Sequence, residues 1–259
     1  MKELNAILII AYRDLLKLLR DRPRLINSLI FPFIFIGILG GSLQAGYDAV
    51  AGYNFLTFVF TGVLAQTLFM SSAEGVISLM DDRLNDFSQE IFVSPISRYS
   101  IILGKILGET LVSLVQGIGI VVFGLVLGIP FSLQTFIALA PVVVVMCFFG
   151  GSFGVAILAN MSSRRAAEQI FNFIMLPQYF LAGVFNPIFN LPFYLDIMSK
   201  LAPLRWAVDF LRGVYYAGTP EYSKIVLADP LVNFAILAVE FTLFLVIGTA
   251  LFVRRERNR

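Results

Sequence analysis

Long apolar runs constrain the fold of this chain more strongly than any single motif. A helix needs about 20 consecutive apolar residues to cross the hydrocarbon core of a membrane. Hydrophobic residues make up 58% of the chain and charged residues only 14%, whereas soluble domains carry about 25% charged residues. We therefore predict an all-α membrane protein in which residues 1–259 form a single transmembrane domain. Its six predicted transmembrane helices cover residues 25–43, 55–79, 101–129, 136–158, 166–184 and 231–253.

Positive charge is distributed unevenly between these spans. With the N-terminus placed inside, fifteen of the nineteen Lys and Arg residues fall in cytoplasmic segments. Cytoplasmic loops of membrane proteins carry an excess of Lys and Arg. An even number of spans then puts both termini in the cytoplasm, and we predict a multi-pass protein of the inner or plasma membrane.

The residues before the first span have helical periodicity. We predict an amphipathic helix at 4–22 that lies in the membrane interface, and an ordinary cytoplasmic extension is the alternative. Pro32 predicts a kink inside the first span. On the helix at 4–22, one face holds Leu4, Leu8, Leu15 and Leu19, and other faces hold Arg13, Lys17, Arg20 and Asp21.

Several kinds of chemistry are excluded by residue type. The chain contains no histidine, which removes histidine-based general base catalysis and most zinc and haem sites. Its one cysteine, Cys147, lies in an apolar run and has no partner for an intrachain disulfide. We expect no catalytic residue, no metal site and no nucleic-acid partner.

A polar segment separates the second and third predicted spans. At helical spacing, Leu84, Phe87 and Ile91 share one face. An acidic face holds Asp82, Asp86 and Glu90, and Pro95 ends the helix. A helix at 81–95 with these two faces is suited to a groove on a cytoplasmic partner, and a solvated linker helix is the alternative.

The segment 185–229 is apolar, predicted to lie outside, and too broken by proline to span. Non-helical backbone at membrane depth needs protein or a water-filled cavity around it. We therefore predict short re-entrant helices packed on the bundle, with Pro192 and Pro203 as structural positions. Asp209 and Arg212, three residues apart, are predicted to pair, or to form a surface salt bridge of little consequence.

Two groups of motifs occur in order along the chain. The first group is Glu90-Ile91-Phe92-Val93-Ser94-Pro95-Ile96-Ser97-Arg98 followed by Leu103-Gly104-Lys105. The second is Phe180-Leu181-Ala182-Gly183-Val184-Phe185, then Leu191-Pro192, Pro203-Leu204, Trp206, Asp209, Arg212 and Gly213. Together they resemble the motifs of the ABC-2 type transporter permeases. The chain departs from the family pattern at Leu84, Asp86 and Ala202, and the first two departures leave open which residues of the helix at 81–95 bear on the partner.

The resemblance implies a permease of an ATP-driven exporter. It implies six transmembrane helices, the re-entrant helices, and two permease copies, most simply a homodimer, on a dimer of separate ABC ATPase subunits. The chain has no phosphate-binding loop, so ATP and Mg²⁺ are expected on the partner and no cofactor on this chain. We expect an amphipathic, lipidic or lipid-linked substrate. The helix at 81–95 becomes the coupling helix, with Asp82, Asp86, Phe87, Glu90, Ile91 and Val93 as ATPase contacts.

The resemblance also places the substrate path along the first, second and fifth transmembrane helices. Polar and aromatic side chains on these helices are the candidates for its wall, because aromatic walls suit amphipathic substrates in contact with membrane lipid. The six candidates are Gln66, Glu74, Asn172, Gln178, Phe35 and Phe180.

Carboxylates within the spans keep other functions open. Glu240 lies about 13 Å into the last span at 1.5 Å per residue, where an unpaired charge is costly. We predict that it is structural and hydrogen-bonded to a neighbouring helix, and a role in the path is the alternative. Glu109 is predicted to pair with Lys105. A secondary transporter or channel that uses an ion gradient through Glu240 or Glu74 is the rival function, and most intramembrane enzymes are disfavoured by the missing histidine.

Overall fold

A computed structural model describes residues 2–44, 46, 52–76, 96–158, 161 and 163–257, and these residues form helices without a β-strand. Residues 2–44 form α1 (Lys2–Arg20) and α2 (Arg22–Ile34), and α2 runs directly into a π-helical segment (Phe35–Gly40). Long helices follow: α3 (Phe55–Gly75), α4 (Arg98–Val126), α5 (Leu133–Leu158) and α6 (Arg164–Leu181). Three short helices, α7 (Phe193–Lys200), α8 (Pro203–Tyr215) and α9 (Tyr222–Ile225), lead to α10 (Pro230–Arg257).

Five of these helices are long and apolar enough to cross a membrane. Each lies at a predicted span, which confirms the all-α fold class for the described residues and gives five candidate membrane spans. The predicted fifth span is also helical, as α6, but its 18 residues include Glu168, Asn172 and Gln178 and are less apolar. At 1.5 Å per residue α6 is about 27 Å long. The five are Leu25–Gln44, Phe55–Gly75, Tyr99–Val126, Leu133–Ile157 and Pro230–Leu251.

Helix α3 is the centre of the bundle. Of its apolar stretch, 83% is buried, against 17% for the first and last candidate spans. It packs against α4, α5 and α8. Gly150 and Gly154 of α5 lie directly against the backbone of α3 at Phe69 and Ala73. Glycines four residues apart let two helix backbones approach closely, which strengthens packing where no hydrophobic effect drives helices together.

The first span does not end at its proline. Pro32 lies inside α2, and the helix continues into the π-helical segment at Phe35. Proline removes one backbone hydrogen bond and crowds the preceding turn, and π-segments are a common form of helix irregularity. The irregularity predicted at Pro32 therefore lies one turn further along the helix, at Phe35–Gly40.

Helix α1 packs along α4 through a different face from the predicted apolar one. Leu4 and Leu8, which belong to the predicted apolar stripe, are exposed, whereas Ala11 and Leu18 are buried. The close contact is made at Gly104 and Gly108 of α4, where the α1 backbone approaches. Helix α1 thus has one face for α4 and a second apolar face that is exposed on the chain.

Polar caps determine where two of the long helices begin. The side chain of Asn54 accepts the Thr57 N–H (2.8 Å) at the start of α3, and Ser97 accepts the Ser100 N–H (3.1 Å) at the start of α4. The Glu3 carboxylate in turn accepts the Ser97 N–H (3.2 Å). Hydrogen bonds from Ser100 and from Ser97 lower the pKa of Glu3. These caps satisfy N–H groups that have no partner in the first helical turn, and Glu3 ties α1 to the start of α4.

The proline-rich segment folds into α7, α8 and α9. Pro192 directly precedes α7, and Pro203 is the first residue of α8, where the fixed φ of proline suits a helix start. Helix α8 is almost wholly buried against α3, α5 and α10, whereas Phe193 of α7 is exposed. Pro192 and Pro203, predicted as structural positions, therefore lie at the starts of these two short helices.

Candidate functional site

A cavity of about 1000 Å³ lies between α2, α3, α4 and α6. This volume is at the upper end of the range for pockets that bind small molecules. Its deeper wall carries Gln66 of α3 and Gln116 of α4. Glu74 lies on the same helix as Gln66, eight residues or about 12 Å away. The cavity therefore extends from the end of α3 that is predicted to be cytoplasmic towards the middle of the bundle.

Three carboxylates from different parts of the chain line the cavity: Asp21 at the junction of α1 and α2, Glu74 on α3 and Glu168 on α6. Among the described residues of its wall there is no Lys or Arg. Asn27, on α2, and Asn172 add side-chain amides. The wall is therefore rich in hydrogen-bond acceptors.

One polar side chain in the cavity wall is held in place with its acceptor unused. Gln66 is only 2% exposed, and its Nε2 donates to the Met70 sulfur (3.8 Å). The Tyr179 hydroxyl donates to the same sulfur (2.7 Å). The Gln66 Oε1 has no hydrogen-bond partner among the described residues. A buried acceptor without a donor costs about 1–3 kcal/mol, so this oxygen is a local cost to the fold.

Aromatic rings join α2 and α6 beside the cavity. Phe31 and Tyr179 line it, and their ring centroids are 6.4 Å apart. Phe35 continues the cluster, 4.2 Å from Phe31 and 4.7 Å from Phe185, and Phe180 lies 6.4 Å from Phe185. The predicted path residues Phe35 and Phe180 therefore belong to the aromatic cluster next to the cavity.

The predicted polar path residues are divided between two places. Gln66, Glu74 and Asn172 line the cavity. Gln178 lies elsewhere: it is buried, and its Oε1 accepts the Leu204 N–H (3.2 Å) at the start of α8. Gln178 thus caps α8.

A buried ion cluster lies directly behind the cavity wall. The Lys105 Nζ contacts the Asp14 Oδ2 and the Glu109 Oε1, both at 2.7 Å, and Arg13 contacts the Asp14 Oδ1 at 3.0 Å. The predicted pair between Lys105 and Glu109 is therefore present, and Asp14 extends it to α1. The Glu109 carboxylate occupies the space that a side chain at Gly75 would need, and Gly75 lines the cavity.

The pair predicted between Asp209 and Arg212 does not form, because each side chain has other partners. The Arg212 guanidinium donates to the backbone oxygens of Phe58 (3.0 Å) and Gly183 (2.9 Å), and it stacks on the Phe58 ring at 3.7 Å. Gly183 can place its carbonyl there because it adopts a left-handed conformation (φ +71°). Arg212 thus anchors α8 to α3 and to the end of α6.

Asp209 anchors the opposite side of α8. Its carboxylate accepts the N–H groups of Leu227 (2.8 Å) and Ala228 (2.9 Å) and the Asn233 side-chain amide (2.7 Å). These contacts hold the start of α10. Both family-motif residues therefore have structural roles in fixing the short helices.

Within the part of the chain that the structure describes, Glu240 has no hydrogen bond to a neighbouring helix. Its Oε2 is buried without a hydrogen-bond partner among the described residues, so the predicted partner is absent from this part of the chain. The six coupling-helix candidates, Asp82, Asp86, Phe87, Glu90, Ile91 and Val93, lie outside the described residues.

Sequence reasoning did not place several polar residues in the cavity wall, Asp21, Asn27, Gln116 and Glu168 among them, and it did not predict Asp14 in the ion cluster. From the sequence, Asp21 belongs to the polar side of the helix predicted at 4–22, and Glu168 is placed to form a local ion pair. Asp14 was not among the predicted residues. Gln116 offered a usable signal, because a lone amide in a long apolar span is expensive unless it faces a cavity or a partner. The others needed the tertiary arrangement.

Comparisons with known proteins agree with the motifs. A family model for the ABC-2 type transporter matches residues 5–216. "Putative transport permease ycf38" of Cyanophora paradoxa is 25% identical over 206 residues, which covers 76% of this chain and 70% of that protein. "Nodulation protein J" of Rhizobium leguminosarum bv. viciae is 21% identical over 233 residues, which covers 89% of this chain and 87% of that protein. "Probable multidrug ABC transporter permease YbhR" of Escherichia coli (strain K12) is 25% identical over 143 residues, covering 54% and 38%.

Proposed function

This chain belongs to the ABC-2 type transporter family, and from that premise we propose that it is the membrane-spanning permease of an ATP-driven exporter. The family implies association with an ABC ATPase subunit, which would bind ATP and Mg²⁺. The observation that carries the proposal is the cavity of about 1000 Å³, because it brings polar residues of four helices to one place. Its mixed polar and aromatic wall suits an amphipathic, lipidic or lipid-linked substrate.

The proposed arrangement has six spans, with α6 as the fifth and both termini in the cytoplasm of the inner or plasma membrane. Helix α6 has an apolar outer side at Phe173, Leu176 and Phe180, which are 81%, 62% and 59% exposed. Its other side carries Glu168 and Phe171 into the cavity. Lipid or a second permease copy on the outer side, with the cavity on the other, accounts for the mixed composition of α6.

The proposed drive is movement of the coupling helix at 81–95 by the ATPase dimer. This segment joins α3 to α4. Glu74, near the end of α3, lines the cavity, and Lys105, near the start of α4, belongs to the ion cluster behind it. A displacement of the segment would therefore act on the two helix ends that bound the cavity, and would open it alternately to the two sides or to the membrane.

The test is to co-express the chain with a candidate ABC ATPase subunit and to measure complex formation and ATP hydrolysis. Asp86→Arg/Glu90→Arg reverses the acidic face of the coupling helix, and we expect it to break assembly or to abolish stimulated hydrolysis. Asp48→Arg is the matched control, since it reverses a charge on the predicted opposite side of the membrane and should leave both unchanged.

One combination of results would contradict the exporter proposal. If no ATPase co-purifies and the double reversal changes nothing, the exporter proposal is wrong. Transport that then follows an ion gradient, and that is lost in Glu74→Gln or Glu240→Gln, would identify the rival secondary transporter or channel.

A further inference from the structure

We propose that the junction between α1 and α2 binds an anionic phospholipid of the cytoplasmic leaflet. The headgroup lies on Arg20 and Arg22, and an acyl chain lies along the exposed side of α2. A single residue, Asp21, separates the two helices at this junction. The inference goes beyond the proposed function, because it rests on α2 crossing the membrane in the proposed arrangement and not on what the cavity transports.

An exposed apolar stripe runs along α2 from Arg22. Ile26, Ile30 and Ile34 follow Arg22 at intervals of four residues, so the four side chains share one face of the helix. Arg22 and the three isoleucines are exposed. At 1.5 Å per residue the stripe is about 18 Å long, which is close to half of the hydrocarbon core of about 30 Å. Its length therefore fits the acyl chain of one leaflet.

Positive charge lies at the end of the stripe where the headgroup of such a lipid is placed. The apolar stretch of the first span begins at Leu25, so Arg22 lies about 4.5 Å outside it. Arg20 ends α1 and is also exposed, and neither arginine has an ion pair with another described residue. Residues 20–24 hold three arginines and one aspartate. Because guanidinium groups bind phosphate oxygens through paired N–H donors, this depth suits an anionic phosphodiester.

Helix α1 continues the apolar surface on the other side of the junction. Leu8, Tyr12 and Leu19 are exposed, whereas Leu18 is buried on the side that packs along α4. An exposed apolar face bordered by cations is typical of a helix in the membrane interface. A second permease copy, related by a two-fold axis along the membrane normal, would bring the same arginines to the same depth. An anionic lipid matches both the apolar surface and its charge.

The test measures which lipid contacts the stripe. In a Cys147→Ala background, which removes the single native cysteine, Ile34→Cys carries a bimane fluorophore at the deep end of the stripe. The full chain is placed in phosphatidylcholine vesicles, and the quencher is phosphatidylglycerol or phosphatidylcholine with a nitroxide near the end of one acyl chain. We expect half-maximal quenching at a fraction of phosphatidylglycerol about tenfold or more below that of phosphatidylcholine, because each nearby cation strengthens contact with an anionic lipid about fivefold. Equal quenching by the two lipids would overturn the inference.

Charge variants locate the preference. Arg22→Gln should reduce it about fivefold, and Arg20→Gln/Arg22→Gln should remove it, with quenching by phosphatidylcholine unchanged. Arg165→Gln is the matched control, because it removes one charge from another exposed arginine, near the start of α6, on the side also predicted to be cytoplasmic. It should leave the preference within about twofold. Melting temperatures confirm that each variant folds, and Arg22→Gln serves alone if the double variant does not.

Two further results would overturn the inference. Equal losses in Arg22→Gln and Arg165→Gln would show that the preference follows net charge and not the junction. Absence of quenching by either lipid would show that a second copy of the chain covers the stripe. The vesicles contain this chain alone, so a preference for phosphatidylglycerol without ATPase co-purification would leave this inference intact while removing the exporter proposal.

Discussion

At the scale of single residues, the ion cluster around Lys105 is the most consequential group. Lys105 is 1% exposed and contacts one carboxylate from α1 and one from its own helix. Removing one partner of a buried ion pair costs about 3–5 kcal/mol, because the other charge is left uncompensated. Removal of Lys105 leaves Glu109 without its cation and leaves Asp14 with Arg13 alone, so we expect a large loss of stability.

We therefore expect Lys105→Met to destabilise the chain by about 3 kcal/mol or more. The measurement is unfolding in lipid nanodiscs followed by denaturant or heat. Adding Asp14→Asn and Glu109→Gln to Lys105→Met removes the charges that were left unpaired, and should restore most of the lost stability. A single variant as stable as wild type, or a triple variant no better than the single one, would contradict this account of the cluster.

For Arg212 and Asp209, the spacing in the sequence does not identify the partners of the two charges. Their spacing suits an ion pair, but Arg212 binds backbone oxygens of α3 and of the loop after α6, and Asp209 binds backbone N–H groups before α10. Buried backbone groups outside regular helices need partners. Arg212 and Asp209 are the partners of buried backbone groups on opposite sides of α8. A prediction that considers only these two residues does not include those partners.

At the scale of elements, the contact of α1 with α4 depends on glycine. A side chain at Gly108 would lie 3.1 Å from the Ala11 Cα and from the Asp14 Cβ. Gly104 is crowded in the same way, 3.1 Å from the Ile7 Cα. Because backbone atoms cannot yield as a flexible side chain can, α1 must move away if either glycine gains a branched side chain.

We expect Gly108→Val to cost about 1–3 kcal/mol and to raise hydrogen exchange throughout α1. Gly41→Val is the matched control, because a side chain at Gly41 meets nothing within 4 Å, and exchange in α1 should stay at the wild-type rate. Unchanged protection of α1 in Gly108→Val would mean that the two helices are not held together by this close approach.

At the scale of the whole molecule, α3 lies at the centre and the first and last spans lie at the edge. Their apolar stretches are 83%, 17% and 17% buried, although all three are apolar enough to span. Hydropathy measures transfer into lipid and cannot distinguish a helix surrounded by protein from one surrounded by acyl chains. The exposed apolar faces of the edge helices and of α6 remain available to lipid or to a second copy.

The crossing of the membrane by α6 can be tested in a Cys147→Ala background, which removes the single native cysteine. Met161→Cys precedes α6 and Asn190→Cys follows it. If α6 spans, a membrane-impermeant maleimide should label the two positions from opposite sides, with Asn190→Cys reached from outside in intact cells. Labelling of both positions from one side would remove α6 from the spans and change the orientation of everything after it.

The sequence alone determined the class of this protein, because apolar runs of spanning length and the bias of Lys and Arg depend only on local composition. The same is true of the helix starts at Asn54, Ser97 and Pro203, where a residue and its neighbours decide the local structure. The family resemblance suggested Gln66 and Asn172 as path candidates, and its position near the inner end of the second span suggested Glu74. All three line the cavity.

Only the tertiary structure decided which helix is central, that Asp14 reaches Lys105, and that Gln178 caps α8 instead of lining the cavity. It also brought Asp21, Glu74 and Glu168 from distant parts of the chain to one wall. These outcomes depend on which faces of distant helices meet, and a helix with polar groups on several faces fits more than one arrangement until its neighbours are fixed. Backbone contact through small residues such as Gly108 and Gly154 fixes them here.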